Sequence, residues 1–300
     1  MNEPFSLHPF ADSVAGAASL AKALGMPTSP IRVHRFPDDE SLVTAPECAE
    51  IAIVFRALHH PNLKLFELLQ AAAALRDRGA RKVVLVAPYL PYLRQDVAFE
   101  PGQAVSQRVL GAMLSPAFDG FVAVAPHLHR VHDLGEVFPD RPCVATQPTE
   151  SFSRALLSEP DRRRVLVGPD EESEPLVQQL ATAIGAPYVI AKKVRHGDRA
   201  VAITVGDAAP LRDRNAVLID DMVSTGTTLI EVAKQIRSAG ALRCEALVCH
   251  ALFDLAVEDR MREAGIHQVR SCDGIPHLTN AIPLAPVLAT GVRAVLKAVA

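Results

Sequence analysis

Two adjacent carboxylates, Asp220 and Asp221, stand just ahead of a run of small hydroxyl residues, Ser224-Thr225-Gly226-Thr227-Thr228. The apolar residues Ala216 to Ile219 before them read as a buried strand. Behind them Leu229, Ile230, Val232, Ala233 and Ile236 recur at helical spacing on one broad face, and Gly240 supplies a stop. A strand, a Gly/Ser/Thr turn and a helix N-terminus make an anion site, because the unpaired N–H groups and the dipole of the first turn face the ligand. Carboxylates beside a phosphate would repel it, so the two acids need another ligand: neutral hydroxyls, or a metal ion bridging to phosphates. A phosphorylated sugar offers both. Two solvated acids on an ordinary βα turn are the plainer reading of an Asp-Asp pair, and the hydroxyl loop directly behind argues against it. No Gly-Lys-Ser/Thr follows, which excludes the usual nucleotide P-loop.

Other segments carry useful side chains but are ambiguous alone. Phe36-Pro37-Asp38-Asp39-Glu40 puts acids two and four residues after an aromatic, which also suits a solvated turn. Pro88-Tyr89-Leu90-Pro91-Tyr92-Leu93-Arg94-Gln95-Asp96 follows the apolar run VVLVA and offers ring surface, cation and amide where open α/β sheets bind ligands. His127, His129 and His132 follow the run GFVAVA; surface histidines compete there with a metal or phosphate role. Asp170 to Ser173 follow a strand ending at Gly168, and Lys193 and Arg195 lie beyond the apolar run Tyr188 to Ala191.

The elements that must position these loops alternate between strand and helix. Strands are expected at 51–55, 83–87, 120–125, 164–168, 188–191, 216–219 and 246–250, with Val201 to Val205 as the return arm of a hairpin. Helices are expected at 12–24, from Pro61 to Gly79, at 103–114, from 174 to Ile184, around 255–264 and from Pro286 to the end. That alternation argues for an α/β protein with mostly parallel sheets flanked by helices. Three hundred residues fit two domains, 1–146 and 147–285, with helix 286–300 expected to pack back on the first. VVLVAPYLPYLRQD and AVLIDDMVSTGTTL occupy corresponding places in the two halves. The net charge is −3 with both signs interspersed, so no nucleic-acid footprint is expected. Five cysteines without zinc or disulfide spacing suggest a reducing compartment, and neither a signal peptide nor a membrane span is evident, which makes the cytoplasm the expected location.

The order of these segments is more specific than any one of them. The Asp220–Thr228 stretch resembles the phosphoribosyl-diphosphate (PRPP) motif of type I phosphoribosyltransferases. Phe36-x-Asp38-x-Glu40, the loop ending in Arg94-Gln95-Asp96, His127, Pro169-Asp170, Lys193-x-Arg195 and Asp220–Thr228 together resemble the ribose-phosphate pyrophosphokinase (PRPP synthetase) family over nearly the whole chain. That resemblance implies two tandem phosphoribosyltransferase-like domains, the first serving ATP and the second ribose phosphate. It implies diphosphoryl transfer from MgATP to the anomeric hydroxyl of ribose 5-phosphate, giving PRPP and AMP. By the same resemblance Asp220 and Asp221 hold the ribose 2- and 3-hydroxyls, and Ser224, Thr225, Gly226, Thr227 and Thr228 cradle the 5-phosphate. Arg94, Gln95 and Asp96 contact ATP, and Phe36, Asp38 and Glu40 hold the adenine from a neighbouring subunit of a dimer or hexamer. Lys193, Arg195 and His127 are the implied catalytic residues, with His127 and Asp170 toward Mg²⁺.

The chain departs from the family pattern in places. Ala125 stands where an acid is usual before Pro126-His127, and Glu172-Ser173 replace a Gly-Gly pair, adding charge and side chains near the ribose-phosphate side. Asp39 replaces a usual glycine, and Val97 a usual basic residue. These departures keep two alternatives open: a catalytically silent synthetase-like regulatory subunit, and a phosphoribosyltransferase that consumes PRPP.

Overall fold

The structure, a computed structural model, describes residues 4–128, 130–196, 200–205 and 209–300, with 193–196 and 200–205 described by backbone alone. It divides into two compact units, Met1–Thr146 with Leu284–Ala300, and Gln147–Pro283.

In the first unit β1 (Phe5–Pro9) leads through a short 3-10 turn into α1 (Val14–Leu24). The strands β2 (Arg32–Arg35) and β3 (Ser41–Thr44) pair only with each other, as an antiparallel hairpin. Then come β4 (Ile51–Phe55), α2 (Pro61–Asp77), β5 (Lys82–Ala87), α3 (Ser106–Leu114), β6 (Gly120–Val124), the one-turn α4 (Leu134–Val137) and β7 (Cys143–Thr146). The sheet order is β1-β4-β5-β6-β7 and every pairing is parallel. Strands β4 and β5 are continuous apolar runs because both faces of such a sheet are covered.

The second unit opens with α5 (Thr149–Leu157), β8 (Arg164–Gly168), α6 (Glu174–Ile184), β9 (Tyr188–His196) and β10 (Ala200–Val205). It continues with β11 (Asn215–Val223), α7 (Thr227–Ser238), β12 (Arg243–Ala251), α8 (Leu255–Glu263), β13 (Ile266–Cys272) and β14 (Asn280–Ile282). Its order is β10-β9-β8-β11-β12-β13-β14, with only β10 antiparallel to its neighbour. The chain builds outward from β8 to β10, then returns to the other side of β8 at β11. The point between β8 and β11 is therefore a topological switch, where α/β sheets bind ligands. The last helix, α9 (Ala285–Val299), returns to the first unit and packs on α1, β6 and β7. Gly291 permits the approach, since a Cβ there would meet Thr146 Cγ2 and Val122 Cγ1 at 2.9 Å.

Several elements differ from the periodicity. Helix α1 starts at Val14 and not at Asp12, which falls in the 3-10 turn Ala11–Ser13; the Asp12 carboxylate meets Arg56 (3.2 Å) and Lys64 (3.1 Å). Helix α3 starts at Ser106, three residues into the expected span. Strand β11 runs on through both acids to Val223. The hairpin β2–β3 and the strand β13 are not marked by apolar alternation; β2 is mostly exposed and β13 carries Arg270 and Ser271 in its buried part. No helix among the described residues is long and apolar enough to cross a membrane.

Two histidines in the first unit set a pH response. Burial, then the charges of Lys64 and His60, lower His59 to about 4 from its ordinary 6.5. Burial also lowers His8, against the opposing hydrogen bond to the Ser29 carbonyl. For Asp12 burial acts upward but the charges of Arg56 and Lys64 outweigh it, and for Glu67 hydrogen bonds from Arg56 and Ser41 do the same. A depressed histidine favours the unfolded chain once the pH drops below the unfolded value, whereas a depressed carboxylate loses its contribution only below the ordinary carboxylate range. The contribution of these histidines to stability is therefore expected to fall between pH 6.5 and about 4, so that His59→Gln makes the fall of the unfolding midpoint across that window smaller than in the wild type. Urea unfolding of both proteins at stepped pH measures it; the same pH profile in wild type and His59→Gln contradicts the assignment.

Candidate active site

In the second unit the pairing of β11 with β8 ends at Leu218↔Val167, while its pairing with β12 continues to Val223↔Ala251. Strand β8 itself breaks off at Gly168, and Pro169 and Asp170 lead away. This leaves Asp220 and Asp221 on a stretch of strand that β12 borders and β8 no longer does. Burial first, and then the charges of Asp221 and Asp170, push the Asp220 carboxyl well above the usual range; the Asp221 N–H, which donates to Asp220 Oδ1 (3.0 Å), opposes the shift. Three carboxylates thus act on one another at the switch point. Such a group is relieved by donors that carry no negative charge, such as sugar hydroxyls, or by a cation.

The hydroxyl loop lies directly beyond. Thr225 and Thr227 are exposed, with their Oγ1 atoms 3.1 Å apart, and Ser224 and Thr228 are half-buried. Arg260 of α8 pins the loop by donating to the Thr225 carbonyl (3.1 Å). Gly226 sits at the N-cap of α7 with φ +70°, and no side chain caps the helix. The N–H groups of the first turn are accordingly left for a ligand. A Cβ at Gly226 would lie 2.9 Å from Val257 Cγ1, so position and conformation both demand glycine.

Asp170 accepts from the Ser173 N–H (3.3 Å), and Ser173 Oγ donates to the Asp170 carbonyl (2.6 Å). The expectation that Glu172-Ser173 adds side chains toward the ribose phosphate is corrected for Ser173, which is buried and closes a capping box beneath the loop; Glu172 is exposed. Lys193 and Arg195 fall in β9, opposite Ile203 and Val201 of β10, and their side chains lie outside the described residues. His129 lies outside them as well.

In the first unit the loop after β5 is anchored by buried Leu90 and Leu93, by Leu58 N–H donating to the Tyr89 carbonyl (3.1 Å), and by the Tyr92 hydroxyl donating to Asn62. Arg94 is exposed. Gln95 Oε1 accepts from Ser106 Oγ (2.8 Å). The Asp96 side chain is only 2% exposed and is taken by Arg130, whose Nη1 and backbone N–H lie at 2.7 Å and 3.3 Å. That pair ties the loop after β5 to the loop after β6, where His127 is half-buried. Arg130 carries no signal in the sequence apart from its place among the histidines. Ala125, at the end of β6, is buried with φ +40° and brings no carboxylate there.

Phe36, Asp38 and Glu40 are brought together on the turn of the β2–β3 hairpin, all of them exposed. The Phe36 N–H donates to the Glu40 carbonyl (2.8 Å), and Asp39 occupies a φ of +69°, which explains the glycine usual at that place.

Among the described residues no group of three His, Cys, Asp or Glu side chains is arranged to hold a metal ion by itself. The oxygen donors Asp170, Asp220 and Asp221 nonetheless suit a hard cation that draws most of its shell from water and substrate phosphates. Gly226→Ala is expected to destabilise the protein by about 1–3 kcal/mol, through the strained φ and the clash with Val257. Chemical denaturation reads this directly, and an unchanged midpoint contradicts the packing described.

Comparisons with known proteins agree with this geometry. Residues 11–117 match the model of the N-terminal domain of ribose phosphate pyrophosphokinase, and residues 150–283 match the phosphoribosyl transferase domain. A ribose-phosphate pyrophosphokinase of Saccharolobus solfataricus is 30% identical over 255 residues, covering 83% of this chain and 85% of the relative. One from Methanopyrus kandleri is 29% identical over 278 residues, covering 91% and 94%. The crystal structure of phosphoribosylpyrophosphate synthetase from Mycobacterium smegmatis shares the fold, with a TM-score of 0.83 at 23% identity over 99% of this chain and 100% of that one. With a relative at that identity over that length, and both halves matched in order, the chain belongs to the ribose-phosphate pyrophosphokinase family.

Proposed function

We propose that this protein transfers the diphosphoryl group of MgATP to the anomeric hydroxyl of ribose 5-phosphate, forming PRPP and releasing AMP. The observation that carries the reading is the junction of β11 and α7 in a chain of this family: carboxylates crowded at the switch point, followed at once by an uncapped helix and a hydroxyl loop. Asp220 and Asp221 accept hydrogen bonds from the ribose 2- and 3-hydroxyls, which relieves their mutual repulsion. Ser224 to Thr228 and the first turn of α7 take the 5-phosphate. With both ends of the sugar held, the anomeric hydroxyl is presented in one orientation, and orientation is most of what such a transfer requires.

On the ATP side we assign Arg94 and Gln95 to the nucleotide, with Asp96 fixing their loop through Arg130. Phe36, Asp38 and Glu40 take the adenine. Their exposure fits a contact made from a neighbouring copy in a homo-oligomer. Lys193 and Arg195, with His127, stabilise charge on the transferring group. Asp170 and His127 are the residues we assign to Mg²⁺, each through water or phosphate oxygen; the ion, when bound, neutralises phosphate charge. The five free cysteines agree with a cytoplasmic setting.

A second reading, a silent regulatory subunit, is favoured by one observation: Ala125 supplies no acid at the end of β6. An assay of AMP and PRPP with pure protein, ribose 5-phosphate and MgATP separates the two. Product is expected from the wild type, with kcat lowered by about 10²–10³ in Lys193→Ala. Neither product, despite calorimetric binding of both substrates, supports the silent subunit.

A further inference from the structure

The turn assigned to adenine is poorly supported by its own hairpin. Strands β2 and β3 have four residues each and join no larger sheet. Two-stranded ribbons of that kind are marginal alone. Register and pleat put Val33, Arg35, Ser41 and Val43 on one face. Val33 and Val43, at the far end, pack against the apolar core. Arg35 and Ser41 form the pair immediately beneath the turn.

What holds them is Glu67 of α2, whose side chain is 1% exposed. Its Oε1 accepts from Arg35 Nη2 (3.2 Å) and from Ser41 Oγ (2.9 Å), so a single oxygen grips both strands. Its Oε2 lies 2.6 Å from Arg56 Nη2. Arg56 is itself buried, lies over the Phe10 ring at 4.0 Å, and also reaches Asp12 at 3.2 Å. The carboxylate is therefore fixed from beneath by a buried cation and offers its other oxygen to the hairpin. The Phe36 N–H donates to the Glu40 carbonyl one step above this clamp, so the base sets the direction in which Phe36, Asp38 and Glu40 project.

We infer that Glu67 is a positioning residue for nucleotide binding: with Arg35 and Ser41 it pre-orients the Phe36–Glu40 turn and so sets the affinity for ATP. This rests on the reading that the turn contacts ATP. Loosening the clamp leaves the turn to be ordered on binding, a cost that appears in affinity and not in the chemical step.

The test uses the full-length protein with Arg35→Met and Ser41→Ala combined, which releases the hairpin while leaving the buried Glu67–Arg56 pair intact. Phe36→Ala serves as the direct probe of the turn. ATP affinity is measured by calorimetry, and KM for each substrate and kcat by product formation. The double variant is expected to bind ATP about tenfold more weakly, with KM for ribose 5-phosphate and kcat unchanged. A general structural defect would move both substrates together and overturns the inference. Weaker ATP binding in Phe36→Ala with wild-type affinity in the double variant overturns the role of Glu67 and leaves the reading of the turn standing. Wild-type ATP affinity in Phe36→Ala overturns both.

Discussion

The site in the second unit depends on where two strands stop pairing. Strand β8 releases β11 after Leu218, two residues before Asp220, while β12 holds it to Val223. Beyond the end of β8, burial and then the charges of Asp221 and Asp170 drive the Asp220 carboxyl up. Crowding of this kind disfavours the charged form of Asp220. The cluster makes sense as a site whose ligand brings hydroxyl donors or a cation, with an anion received one turn further on by α7. Arg260 and the Val257–Met261 face of α8 then hold the loop in a pose that glycine alone permits.

The two units use the same place in the sheet. The order β4-β5-β6-β7 in the first matches β8-β11-β12-β13 in the second, and the fifth strand differs in origin: β1 precedes the set, whereas β9 follows β8. Strands β5 and β11 correspond, and each delivers a loop from its carboxyl end. The second unit builds an uncapped helix N-terminus there. The first builds a loop held by two leucines and by Asp96–Arg130, with Arg94 left exposed. An equivalent framework thus presents backbone donors in one case and a cation in the other.

What could be read from the sequence was local. Asp220 to Thr228 is contiguous, and its chemistry follows from residue types and one helix start. The segments 51–55, 83–87 and 216–219 are uninterrupted apolar runs within β4, β5 and β11, so the loops and acids that follow them could be placed near strand ends. What was not legible depends on residues distant in the chain. Asp96 meets Arg130, and Glu67 meets Arg35 and Ser41, across separations of 34, 32 and 26 residues that no periodicity marks. Ser173 depends on the backbone path in the same way: in place of a glycine it adds a side chain, and only that path turns the side chain into a cap with Asp170. The hairpin β2–β3 lacks apolar alternation because polar clamping stands in for part of its core contact.

Asp220 and Asp221 are proposed to read sugar hydroxyls beside the phosphate cradle. Calorimetric titration with ribose 5-phosphate and with 2-deoxyribose 5-phosphate, under identical salt and Mg²⁺, tests this most directly. The two ligands present the same phosphate to α7 and differ by one hydroxyl at the acids. A site built to bond that hydroxyl is predicted to bind the deoxy sugar at least about tenfold more weakly, because a crowded carboxylate is left without its donor. Equal affinity would mean that the acids do not face the sugar, and would contradict the account.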